Sequence, residues 1–124
     1  MMTGSRRLRM IQGGLAIATF GAYAVGAAPV AAAADDAAAK AAYKTKCVAC
    51  HAADGSGQNA TGKSLKVPDL RSEEVQKRSD ADLANIIAEG KNNMPSFKGG
   101  SSETEIKNLV AYIRELGAKK AAAK

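Results

Sequence analysis

Tryptophan is absent from this sequence, histidine occurs once, cysteine twice and methionine four times, and aromatic residues make up only 4% of 124 residues. Each scarcity excludes something. One histidine leaves none to spare for a nucleophile–base pair if it serves another purpose. Few aromatics mean a core that large side chains alone do not fill. No segment alternates apolar and polar residues in the manner of a strand, and the one glycine-rich stretch neither follows a strand nor matches a phosphate-loop spacing, which excludes nucleotide binding of that kind. Acidic residues are missing from the first 34 positions, where Arg6, Arg7 and Arg9 precede "MIQGGLAIATFGAYAVGAAPVAAAA".

A positive start, an apolar middle and a small-residue exit describe a secretory leader. Residues 1–34 are expected to be removed, with cleavage after Ala34 and a second candidate site after Ala28. The run is long enough to span a membrane if retained, but Gln12, the glycines and Pro29 make it a poor permanent anchor. Cys47 lies too far downstream for a lipid anchor. "SRRLR" hints at a twin-arginine signal, although Arg9 stands where a bulky apolar residue is usual. The general export route is expected, placing the mature chain in the periplasm or otherwise outside the cytoplasm.

Residues 35–124 then form a single domain. Losing three of 18 basic residues and none of 12 acidic ones lowers the net charge from +6 to +3, which makes nucleic acid a poor partner. A chain of this size buries a modest fraction of its surface, so a bulky apolar prosthetic group would supply missing core. The helical signals are clear. "DDAAAKAAYKTK" reads as a helix with Asp35 and Asp36 at its positive end, and Ala39, Tyr43 and Cys47 share a face. "HAADGSGQNATGKSLKVPDL" reads as loop. "RSEEVQKRS" is a short helix capped by Ser72. "SDADLANIIAEG" is a helix capped by Ser79 or Asp80, with Leu83, Ile86 and Ile87 inward and Gly90 at its end. "KNNMPSFKGG" is loop again. "SSETEIKNLVAYIRELG" has a capping box of Ser102 and Glu105, an apolar stripe through Ile106, Leu109, Val110 and Ile113, and a stop at Gly117. A frayed tail from about residue 118 follows. The class is all-α, with three to five short helices and long loops that wrap something or lack order.

Both cysteines and the histidine fall in "CVACH", residues 47–51. A disulfide between Cys47 and Cys50 would close too small a loop to restrict the unfolded chain much. A redox-active pair belongs between a strand and a helix. Zinc in a structural site takes four ligands, and with no further cysteine or histidine an acidic residue would have to complete the set. C-x-x-C-H is also the attachment signature of c-type haem. Cysteines three apart sit on neighbouring points of one helical turn, where both sulfurs can reach one edge of the ring and the following histidine one face of the iron. Bis-histidine ligation is impossible with a single histidine. Of the four methionines only Met94 lies beyond the leader, in a polar loop where Pro95 fixes the backbone. A lone methionine is ordinarily core filler, but beside a haem anchor Met94 is the candidate sixth ligand.

These residues resemble a class I c-type cytochrome from about Ala37 to Leu116, with N-terminal helix, "CVACH", Gly-rich loop, middle helices, "GKNNMPSF" and C-terminal helix in the family's order. "GKNNMPSF" is similar to the small soluble cytochromes of bacterial and photosynthetic electron transport. The resemblance implies the small all-α cytochrome c fold and one haem c held by thioether bonds at Cys47 and Cys50, with His51 and Met94 as axial ligands. It also implies terminal helices crossing through Ala39 and Tyr43 on one side and Leu109 and Tyr112 on the other. Two departures stand out. The proline whose carbonyl orients the ligand histidine in many members would fall near Lys63, while the nearest proline is Pro68, and the tryptophan that larger members place at a haem propionate is missing.

The function implied is an exported one-electron carrier, not an enzyme, acting as a monomer between redox partner proteins. Lys44, Lys46, Lys63, Lys66, Lys91 and Lys98 are expected to border the haem and to steer docking onto an acidic partner patch. The alternatives are a haem subunit of a larger redox complex, or a gas-binding or sensing cytochrome if Met94 is labile.

Overall fold

The computed structural model describes the backbone from residue 30 and side chains from residue 35. The expected leader lies mostly outside the described residues. Six helical segments follow one another, with no strand among the described residues: α1 Val30–Lys46, α2 Val48–His51, α3 Ala60–Leu65, α4 Glu73–Gln76, α5 Asp80–Glu89 and α6 Glu103–Ala122. The class is all-α, as expected, and the helices come in the order expected from the sequence. Two of the six segments, α2 and α4, are single turns.

The two long helices make the frame. α1 packs on α6, α5 packs on α6 from another side, and α2 lies against α1 and α3. The crossing of α1 and α6 is marked by the rings of Tyr43 and Tyr112, which meet edge to face with centroids 5.0 Å apart at 64°, a favoured aromatic geometry. Ala39 and Tyr43 are buried on α1, and Ile106, Leu109, Val110, Ile113 and Leu116 on α6. Leu83 and Ile87 turn inward from α5, while Ile86 is only partly covered.

Caps set most of the boundaries. Ser72, Ser79 and Ser102 each accept a hydrogen bond from the backbone N–H three residues on, satisfying donors that the first helical turn leaves unpaired. Arg114 of α6 joins the two middle helices from outside. It donates to the carbonyls of Gln76 (2.8 Å) and Arg78 (2.5 Å), and to Asp80 Oδ1 (2.8 Å) at the start of α5.

Four local expectations are corrected. In the uncleaved chain α1 begins at Val30, so Asp35 and Asp36 stand beyond its first turn there. The segment read as unbroken loop contains α3, because Asn59 Oδ1 accepts from Gly62 N at 2.7 Å and caps it. The capping box of α6 is half formed: Glu105 N donates to Ser102 Oγ at 3.1 Å, but the Glu105 carboxylate accepts from Lys46 Nζ instead of reaching back. α6 also passes through Gly117, which is buried, and ends at Ala122. A Cβ at Gly117 would lie 2.4 Å from Gln76 Cδ, so this glycine serves close packing rather than a helix stop.

Candidate functional site

α2 is one turn long, and its place is set by backbone bonds on both sides. Cys47 N donates to Tyr43 O at 2.9 Å, which continues the direction of α1, and His51 N donates to Cys47 O at 2.9 Å. The His51 carbonyl then accepts from Gly57 N at 2.8 Å. Asn59 Nδ2 donates to the carbonyls of Val48 (2.9 Å) and Ala49 (3.1 Å), so the residue that caps α3 also satisfies the open end of α2. Gly62 permits this closeness, because a Cβ there would stand 2.3 Å from Gly57 O and 2.5 Å from Cys50 O.

Met94 is held in a separate loop. Its N–H donates to Lys91 O at 2.9 Å and its carbonyl accepts from Lys91 N at 3.1 Å. Gly90 (φ 79°) and Asn92 (φ 53°) make the tight turns around that pair. Phe97 N donates to Ile87 O and Lys98 N to Ala88 O, fastening the loop to α5.

These loops close around one cavity of ≈ 350 Å³, within the range of roughly 300–1,000 Å³ usual for ligand pockets. Cys47, Cys50, His51 and Met94 all line it, along with Val67, Leu70, Leu83, Ile87, Phe97 and Leu109. Both cysteines are free and half-buried. Burial pushes the Cys47 thiol up to about 11, opposite to the lowered pKa of a redox-active pair. Burial also lowers the His51 pKa, favouring the neutral imidazole that ligates metals. Among the described residues no three His, Cys, Asp or Glu side chains converge as a metal set, so the zinc reading finds no completed ligand set.

The same residues fit a haem. The walls are mostly apolar, two sulfurs stand three residues apart beside an imidazole, and a thioether lines the same cavity. His51 Nδ1 is buried with no hydrogen-bond partner. Pro68 lines the cavity, yet it supplies no acceptor to that nitrogen.

The six lysines divide. Lys46, Lys66 and Lys91 line the cavity, whereas Lys44, Lys63 and Lys98 do not. Lys46 is already committed, donating to Gly100 O, Ser101 Oγ and Glu105 Oε1, and Lys98 pairs with Glu89 at 2.9 Å. Sequence reasoning missed two contributors, Asn59 and the Tyr43 hydroxyl, which donates to Ala52 O at 2.9 Å. Reading Asn59 as a helix cap would have found the first; the second depends on the fold.

A small all-α domain with C-x-x-C-H on a turn beside an apolar cavity, and a methionine loop on the same cavity, has the construction of a small monohaem c-type cytochrome. The chain belongs to the family described as cytochrome c oxidase, cbb3-type, subunit III, whose profile matches residues 34–113, and it carries that family's covalently bound haem c. It is similar to cytochrome c6 of Synechocystis sp., at 39% identity over 83 residues, covering 65% of each chain. It is also similar to cytochrome c6 of a Synechococcus strain, at 35% identity over 77 residues, covering 62% of this chain and 66% of the relative. The match thus spans about two thirds of these relatives' length.

Proposed function

We propose that this chain is an exported one-electron carrier whose haem c is joined to Cys47 and Cys50, with His51 and Met94 as axial ligands. The observation that carries the reading is that all four side chains line a single apolar cavity, although they come from a helical turn and a loop 43 residues apart. When bound, the haem supplies a one-electron couple whose potential histidine–methionine ligation raises. The protein's own part is to hold still and keep water away. Leu83, Ile87, Leu109 and Ile113 wall the cavity from well-packed helices, and the reciprocal Lys91–Met94 hydrogen bonds fix the loop that presents the thioether. Little rearrangement is needed when charge changes at such a site.

With both axial positions taken from the chain there is no open position for a substrate, and the single histidine is committed; the protein is therefore a carrier, not an enzyme. Lys66 and Lys91, on the cavity's rim and exposed, would steer an acidic redox partner. The cytochrome c6 relatives favour a free carrier, while the family description favours a second reading, a haem subunit fixed in a larger oxidase. Among the described residues no helix is long and apolar enough to cross a membrane.

The test is spectroscopic. Holoprotein purified from an exporting host is expected to be red, to retain its haem through acid–acetone extraction, and to show the oxidised-state band of sulfur–iron ligation. Met94→Ala should remove that band, lower the midpoint potential and admit carbon monoxide. Colourless wild-type protein would refute the reading. A red wild type without the band, binding carbon monoxide readily, would instead mark a gas-binding cytochrome. Co-purification with membrane oxidase subunits, rather than migration as a free monomer, would select the second reading.

A further inference from the structure

We propose that the Tyr43 hydroxyl is a positioning group for His51, acting through the Ala52 peptide; the inference rests on the haem reading above. Ala52 follows His51 in the chain and has φ 61° and ψ 163°, a backbone region essentially confined to glycine. An alanine stays there only if its surroundings hold it. Its N–H donates to Val48 O at 3.0 Å, within the motif's own turn, and its carbonyl accepts from Gly55 N at 3.2 Å in the turn that follows. The bond from outside is the 2.9 Å donation of the Tyr43 hydroxyl to the Ala52 carbonyl.

Tyr43 is well placed to act as a fixed post. It is 2% exposed, and its ring is locked against Tyr112 where α1 crosses α6. The crossing of α1 and α6 is thereby joined, through one hydroxyl, to the residue after the iron ligand. For His51 this support is not duplicated by a hydrogen bond of its own side chain. Its Nδ1 is buried without a partner, so no side-chain hydrogen bond fixes the ring plane, and ring orientation falls to the backbone of α2. Phenylalanine would fill the same packing space, so the hydroxyl is not required for the core itself.

The experiment compares haem-loaded wild type, Tyr43→Phe, Ala52→Gly and the double variant. The ferric electron paramagnetic resonance spectrum, whose g-anisotropy reports the axial imidazole plane, is recorded beside the thermal unfolding midpoint. Losing one such hydrogen bond should shift the balance between held and relaxed turn by about 2- to 10-fold, seen in Tyr43→Phe as a second low-spin species. Glycine at position 52 adopts positive φ without strain. The second species should therefore disappear in Tyr43→Phe/Ala52→Gly, a non-additivity that contact loss alone does not produce.

A Tyr43→Phe spectrum identical to wild type, or one that Ala52→Gly does not restore, would overturn the proposal, even with an altered unfolding midpoint. If Tyr43→Phe fails to accumulate as holoprotein, recovery in the double variant supports the proposal and failure of both counts against it. Wild type lacking covalent haem refutes the haem reading itself, an outcome distinct from a haem-loaded protein with an unmoved spectrum.

Discussion

At the residue scale, Gly90 decides whether Met94 can be presented at all. Its φ of 79° is open to glycine at no steric cost. A Cβ at this position would stand 2.5 Å from Met94 O and 2.9 Å from the Pro95 carbonyl carbon. Both are backbone atoms, so no side-chain rotation relieves the clash. Asn92, at φ 53°, manages with a side chain because asparagine tolerates the left-handed region. Gly90→Ala is expected to cost about 1–3 kcal/mol in denaturant unfolding and to weaken or abolish the sulfur–iron band. Covalent haem should persist, because Cys47 and Cys50 lie on a different element. Loss of haem attachment, or an intact band, would show that the loop does not work this way.

At the scale of elements, α6 shows how a sequence signal can be sound and still misread. Glycine ordinarily costs about 1 kcal/mol inside a helix relative to alanine, so ending α6 at Gly117 was reasonable on local grounds. The tertiary reason lies 41 residues earlier, in Gln76, whose Nε2 donates to Leu70 O (2.7 Å) and Ile113 O (3.1 Å) and occupies the space a Cβ would need. Gly117→Ala should therefore destabilise despite its better propensity, by about 1–2 kcal/mol once Gln76 is displaced from its buried acceptors. Pairing it with Gln76→Ala, which empties the space, should remove most of the steric penalty in denaturant melts. The helix stripes and the serine caps were legible because each depends on neighbours in sequence, and the placing of CVACH and Met94 on one cavity because the residue inventory is so small. α3 was legible only at its Asn59 cap, since Gly62 reads as loop until Gly57 and Cys50 are known to press against it, and the Tyr43–Ala52 bond was not legible, since it joins two elements across a turn. The proline-carbonyl departure was legible as a gap, and the unpartnered His51 Nδ1 is its structural counterpart.

At the scale of the whole molecule, one acidic side chain ties the haem-side loops to the end of the chain. Asp69 accepts from Arg71 N (2.8 Å) and Nε (2.9 Å) through Oδ1, and from Lys120 Nζ (2.9 Å) through Oδ2. Arg71 in turn donates to Asp54 Oδ2 at 3.0 Å, in the loop just after His51. Lys120 belongs to the segment read from sequence as a frayed tail, and its anchor lies beside Leu70, whose N–H donates to Gly55 O. The Arg71 side chain, followed by Lys120 and the Arg71 N–H, holds the Asp69 carboxyl well below the usual carboxylate range. A carboxyl whose pKa falls on folding contributes stability that is present above its unfolded value, near 3.8, and is lost as pH falls through the folded value. Wild-type stability from this source should thus be flat from neutral pH down to about 5 and decline below about 4. Asp69→Asn removes the charge that Arg71 and Lys120 share, and should cost about 1–3 kcal/mol at neutral pH. The two unfolding curves should then converge as pH drops below 4, because the wild type loses what the variant never had. The measurement is the difference in unfolding free energy between the two holoproteins from pH 7 to pH 3. A difference that stays constant across that range would mean that Asp69 acts through packing alone and not through its charge.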